Sequence, residues 1–163
     1  MMAKLKMKGL EEYEAKLLQL KNLSRECIGE AIFEGAAVVA DRVKASIGSI
    51  PIDERHVNVA KGEILNGISQ AQKDGLAEGF GIAPMKDEGG YLHVKLGFDG
   101  YNSVKTRSHP NGQPNSMIAR SVNSGSSFRA RYPFVDQAVN ASKAQAEQAM
   151  IKKFDEKIKD VMS

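Results

Sequence analysis

The chain has no tryptophan and one cysteine among its 163 residues, and aromatic side chains make up only 6%. A lone thiol, Cys27, excludes an internal disulfide and a cysteine metal cluster. At the start of a helical pattern it reads as a small buried hydrophobe. The three histidines, His56, His93 and His109, are scattered, and no His-Glu-x-x-His spacing occurs, so no metal or other cofactor is expected. No stretch approaches the run of about 18 apolar residues that crosses a bilayer. The basic start Met-Met-Ala-Lys-Leu-Lys-Met-Lys is not followed by an apolar secretory segment. With no membrane partner implied, a reducing cytosol, or an assembly built in it, is the expected setting. The nucleophile elbow Gly-x-Ser-x-Gly is missing, and so are phosphate-cradling glycine loops. The carboxylates are spread along helical faces, so no enzymatic activity is expected.

What is present suits one α+β domain spanning 1–163. Hydrophobic residues make up 42% and charged residues 26%, and the net charge is only +3. That balance alone does not make a nucleic-acid binder. The strongest pattern runs from Ile28 to Ile47, where Ile28, Ile32, Ala36, Val39, Val43 and Ile47 recur at helical spacing. Ala31, Gly35 and Ala36 lie on or beside that face, so a partner element can approach the backbone closely there. This predicts a central helix on which a small sheet leans.

Taken in order, Ala3 to Lys8 alternates like a short strand with a lysine-rich outer face. Leu10, Tyr13, Leu17 and Leu20 predict a first helix, closed at Asn22, with Ser24 capping the central one. Residues of about 49–61 predict a mobile loop. A short helix is expected from Gly62 to Lys73 with Gly75 as its stop. Strands are expected over Leu76–Ala83 and Tyr91–Phe98, joined by a projecting Pro84–Gly90 connection. A second mobile loop covers about 99–113. Pro114 opens a short helix with Met117, Ile118 and Val122 inward and Gly125 as stop. Ser126 to Tyr132 reads as extended. Pro133 starts a long helix to Val161, with a stripe of Val135, Val139, Ala146, Met150, Phe154, Ile158 and Val161. The sum is a small antiparallel sheet packed against a long central helix and a long C-terminal helix.

Charge is polarised in one place. Between Asp99 and Asp136 there is no acidic residue, yet Lys105, Arg107, Arg120, Arg129 and Arg131 all lie there, with Tyr101, Phe128 and Tyr132 interleaved. Such a stretch suits a nucleic-acid surface, with arginines on phosphates and rings under bases. It equally suits the acidic patch of a protein partner, where Arg and Tyr are favoured anchors. A solvated basic loop is the third reading.

Several segments resemble one family, the small tail-completion or neck proteins of long-tailed bacteriophages (the lambdoid gene-product-ten-like tail components). Lys4 to Tyr13, Lys-Leu-Lys-Met-Lys-Gly-Leu-Glu-Glu-Tyr, is similar to that family's strand-into-helix start, and Ile28 to Lys44 to its alanine-rich central helix. Gly97-Phe98-Asp99-Gly100-Tyr101-Asn102, then Gly112-Gln113-Pro114-Asn115 with Ile118-Ala119, resembles the stretch after its last strand. Tyr132-Pro133-Phe134-Val135-Asp136-Gln137-Ala138 is similar to its entry into the C-terminal helix. One segment departs: Lys61-Gly62-Glu63-Ile64-Leu65-Asn66-Gly67-Ile68 stands where the family often has Thr-Gly-x-Leu-x-x-Ser-hydrophobic. The resemblance implies a virion structural protein, assembled in the bacterial host cytoplasm, without enzyme activity. It implies a ring, sixfold, at the head-proximal end of the tail or in the neck. The implied partners are further copies of the chain, other phage tail, neck or connector proteins, and packaged DNA. From the residues alone, a small DNA-binding accessory protein is the alternative.

Overall fold

The computed structural model describes residues 10–57 and 62–162. The strand expected over Ala3–Lys8 lies outside the described residues, as does the end of the 49–61 loop. The fold is α+β: two long helices and two shorter ones around a small antiparallel β-structure.

One helix, α1, runs unbroken from Leu10 to Gly48. The expected break at Asn22 and Ser24 does not occur. The Ser24 hydroxyl donates back to the Lys21 carbonyl at 2.9 Å, so the residue expected to cap a new helix is accommodated inside an old one. The buried face also turns away from the expected stripe in its first half. Cys27, Ala31 and Gly35 are inside while Ile28 is 42% exposed, and the expected face returns at Val43 and Ile47.

The C-terminal helix, α4, spans Phe134–Met162 and lies antiparallel along α1. Glu30 pairs with Lys157 at 3.0 Å near one end, and Gly35 meets Met150 further along. The buried side of α4 begins with Phe134, Ala138, Ser142 and Ala146, whereas Val139 is 40% exposed. The expected stripe through Val135 and Val139 is therefore displaced by one position. Ser142 conceals the true face in the sequence, yet its hydroxyl is satisfied by the Ala138 carbonyl at 2.7 Å.

The helix expected at Gly62–Lys73 is displaced along the chain. Helix α2 spans Gln70–Gly79. Its start is a capping box: the Ser69 hydroxyl accepts from the Gln72 amide at 3.1 Å, and the Gln72 side chain accepts from the Ser69 amide at 3.0 Å. Leu65 and Ile68 are buried in extended chain instead, bridged to Arg129 and Ile52. Gly75 does not end α2. It lies mid-helix where a Cβ would fall 2.6 Å from Asn102 Cβ and 2.7 Å from Asn115 Oδ1, so α2 packs tightly on the following loop. Residues 76–79, expected in a strand, are helical.

A β-hairpin follows. Strand β1 (Phe80–Ile82) pairs with β4 (Leu96–Phe98), and β2 (Lys86–Glu88) pairs with β3 (Tyr91–His93), around a turn at Gly89-Gly90. The two ladders differ in register by one residue, because Ala83–Met85 face only Val94–Lys95. That offset is a bulge, and Pro84, unable to donate to a ladder, sits in it. His93 is partly buried. The connection expected to project thus contributes a strand of its own. The hairpin leans on α1 as expected, with Met85 Sδ over Gly29 and Asp87 paired with Arg25.

Helix α3 spans Asn115–Ser124, with Ile118 and Val122 buried and Gly125 (φ +76°) at its end. Met117, expected inside, is 38% exposed. The core lies where α1, α2, β1, β4, α3 and α4 converge. Three of the few aromatic residues meet there: Phe80 lies 5.1 Å from Phe98, and Phe98 lies 5.9 Å from Phe134, ring centre to ring centre.

Candidate partner interface

The eight residues singled out by charge and aromaticity do not form one surface. The structure divides them by burial.

Tyr101, Lys105 and Arg107 belong to the loop between β4 and α3, which is internally bonded. The Asn102 side-chain oxygen accepts from the backbone amides of Val104 at 2.9 Å and Gln113 at 3.3 Å. The Gln113 side-chain oxygen accepts from Gln72 at 2.8 Å and Asn102 at 3.3 Å, tying the loop to α2. The Asn115 amide donates to the Asp99 carbonyl at 2.8 Å across the base of the loop. Val104 is buried beneath it, and Thr106 and His109 exchange backbone hydrogen bonds at 3.0 and 3.2 Å. Where composition predicts a mobile stretch, Asn and Gln side chains thus stand in for secondary structure. This frame presents Tyr101, 70% exposed, and the exposed Lys105 and Arg107 outward.

Arg129 goes the other way. Its residue is 4% exposed, its guanidinium donates to the Ser121 hydroxyl at 3.0 Å, and it lies 5.7 Å from the Phe128 ring centre. Its Nε has no hydrogen-bond partner. Burial pushes its pKa down, and the nearby Asp53 charge opposes that shift. The backbone explains the placement: Ala130 donates to the Leu65 carbonyl and Leu65 to the Phe128 carbonyl, both at 2.8 Å, stitching residues 128–130 against buried chain. Arg129 is therefore an internal residue of this chain rather than an exposed docking residue.

Tyr132 is half-buried and donates to the Ser49 hydroxyl at 3.1 Å, while Phe128 is 49% exposed. Arg131 is exposed, reaching the Asn123 carbonyl at 3.3 Å and the Asp136 carboxylate at 3.5 Å. Arg120 is exposed on α3. Among the described residues, Lys105, Arg107 and Arg120 have no carboxylate in salt-bridge reach.

One feature had no sequence signal, because it needs three distant segments. A largely apolar groove of about 410 Å³ opens between β4, α3 and the start of α4. Phe80, Leu96, Phe98, Ala119, Val135 and Val139 line it, with Arg120 and Asn123 among its polar residues. The exposed Val139 is its outermost apolar marker.

Near the first loop, Asp53 organises the chain. Its carboxylate accepts from Arg55 at 2.7 and 3.0 Å and from the Asn66 amide at 3.0 Å. The Arg55 hydrogen bond, then the Asn66 amide, hold its pKa well below the usual carboxylate range. The loop expected to be mobile is in this part a clamp. Among the described residues, no group of three or more His, Cys, Asp or Glu side chains is arranged to hold a metal. Cys27 is buried at 3% exposure.

No family model, curated protein or solved structure matches the chain.

Proposed function

We propose that this chain is a bacteriophage virion structural protein that assembles as a ring at the head-proximal end of the tail or in the neck. The reading rests on the resemblance of the segments at Lys4–Tyr13, Ile28–Lys44, Gly97–Asn102 and Tyr132–Ala138. Within the Gly97–Asn102 segment Phe98 helps line the groove and Tyr101 stands exposed on the braced loop, whereas Phe134 of the Tyr132–Ala138 segment lies in the core at the start of α4. One surface observation carries the assembly part. Among the described residues three cations, Lys105, Arg107 and Arg120, have no carboxylate in salt-bridge reach, beside loop and groove features suited to a neighbouring subunit. The test is to withdraw the protein from particle production. Unjoined heads and tails are expected, and complete particles formed without it would contradict the proposal.

A second reading, a DNA-binding accessory protein, draws on Tyr101, Lys105 and Arg107 sharing one braced loop. It requires DNA affinity that falls steeply with salt through counterion release. Salt-insensitive binding, or none at low salt, removes it.

A further inference from the structure

The middle of helix α1 is covered on two sides and open on a third. On one side α4 lies against it, where Met150 meets Gly35. On another the hairpin lies against Gly29, and Val43 further along lines the groove. Steps of three and four residues place Glu26, Glu30, Phe33, Ala37 and Asp41 along the remaining side, with Glu34 beside them. Phe33 stands 47% exposed in this stripe, and Glu34 and Asp41 are exposed with it. Glu30 pairs with Lys157, but among the described residues neither Glu34 nor Asp41 has a cation in salt-bridge reach. The stripe is an aromatic ring set among carboxylates. An exposed ring alone is ordinary on a protein surface. This one has a counterpart on the same chain.

The groove is apolar along Phe80, Leu96, Phe98 and Val139, and Arg120 stands in its lining. Arg131 is held beside it through the Asn123 carbonyl. An apolar slot edged by cations thus faces, in chemical terms, an aromatic ring edged by carboxylates. The two cannot meet within one chain. Asp41 and Val43 are two residues apart on one continuous helix and point to opposite sides of it. Residues 1–9 can cover neither surface of their own chain. Fully extended they reach about 32 Å from Leu10. Along the helix, Phe33 is about 35 Å from Leu10, Asp41 about 46 Å and Val43 about 50 Å, at about 1.5 Å per residue.

We propose that the Phe33 stripe of one copy docks in the groove of the next, with Phe33 entering the apolar slot and Glu34 and Asp41 facing Arg120 and Arg131. This contact rests on the self-assembly reading above and names the surfaces that perform it. Stripe and groove are different surfaces of the same chain, so the contact is head-to-tail. Repeated, it gives a ring where the rotation closes. Phe33 is the buried anchor of the contact, and the charges around it set partner and orientation.

The test is a charge exchange on the full chain, read as mass by light scattering over a range of concentrations. One variant carries Arg120→Glu and Arg131→Glu, and the other carries Glu34→Lys and Asp41→Lys. The wild type is expected to self-associate, more weakly in high salt. Each variant alone should associate at least about tenfold more weakly, with unchanged circular dichroism. A mixture of the two should recover assembly, because each reversed surface then meets its complement. That recovery also rules out misfolding as the cause of the loss. A third variant, Phe33→Ala, keeps the net charge and should weaken association by at least about tenfold as well. Phe33→Ala with wild-type association would reduce the exchange to bulk charge and overturn the docking. Charge variants that assemble as the wild type does would overturn the contact while leaving ring formation by another surface standing. Loss without recovery on mixing, or a wild type that stays monomeric throughout, overturns the proposal. None of these outcomes depends on where the protein sits in a particle, which the withdrawal experiment reads separately.

Discussion

Gly35 of α1 lies directly under Met150 of α4: a Cβ built on Gly35 would fall 2.5 Å from Met150 Cγ and 3.3 Å from the Ala146 carbonyl. The absence of a side chain at Gly35 therefore sets how closely the two long helices approach. Replacing Gly35 by Ala gains about 1 kcal/mol of helix propensity. Overpacking costs about 1–3 kcal/mol and wins, because Met150 Cγ sits mid-side-chain and the Ala146 carbonyl is backbone. Gly35→Ala should lower the midpoint of chemical denaturation. Gly48→Ala, where a Cβ meets nothing within 4 Å, should leave it unchanged or raise it.

Arg129 should respond to shape more than to charge. Arg129→Met fills the same space and removes a buried guanidinium whose Nε is unpartnered, so stability should be unchanged or higher. Both variants release the Ser121 hydroxyl, but Arg129→Ala also leaves a void and should cost about 1–3 kcal/mol more than Arg129→Met. Thermal unfolding of the two variants separates these outcomes. Equal loss in both would show that the positive charge itself stabilises the fold.

The acid side of the stability profile should carry the mark of Asp53. Its folded pKa is depressed, chiefly by the Arg55 hydrogen bond, so its contribution is present above the ordinary carboxylate pKa of about 4. It erodes as pH falls below that value and is lost once the folded carboxylate protonates. Asp53→Asn should therefore be less stable than wild type at neutral pH, with the gap closing towards low pH. Urea denaturation at several pH values reads the gap. A gap that is constant with pH would contradict the clamp.

The braced loop should loosen when one side chain is removed. Gln113→Ala leaves the side-chain donors of Gln72 and Asn102 without their shared acceptor, and each buried unpaired group costs about 1–3 kcal/mol. Faster hydrogen exchange is expected at the amides of Asn102 and Val104 while α1 stays protected. Unchanged exchange there would mean that the backbone bonds alone hold the loop.

These effects also explain what the sequence disclosed. The long central and C-terminal helices, the hairpin flanks and α3 were legible because apolar spacing repeats over several turns, and Gly35 does mark a close approach. The errors arose where polar side chains bond locally. Ser24 is absorbed within α1, and Ser142 hides on the buried side of α4. The Ser69-x-x-Gln72 capping box was written in the sequence, but the apolar Ile64, Leu65 and Ile68 suggested an earlier helix. At the candidate interface, charge identified exposed Lys105, Arg107, Arg120 and Arg131. It could not distinguish them from Arg129, because burial there depends on chain pairing with Leu65, far away in sequence. The groove depends on three segments meeting and had no local trace.

The placement of the protein in a virion is the central claim, and immunogold electron microscopy of particles from its source tests it most directly. Antibody against this chain should mark the junction between head and tail. Particles left unmarked there, with the protein present in the same lysate and its epitopes shown to be accessible, would contradict the account.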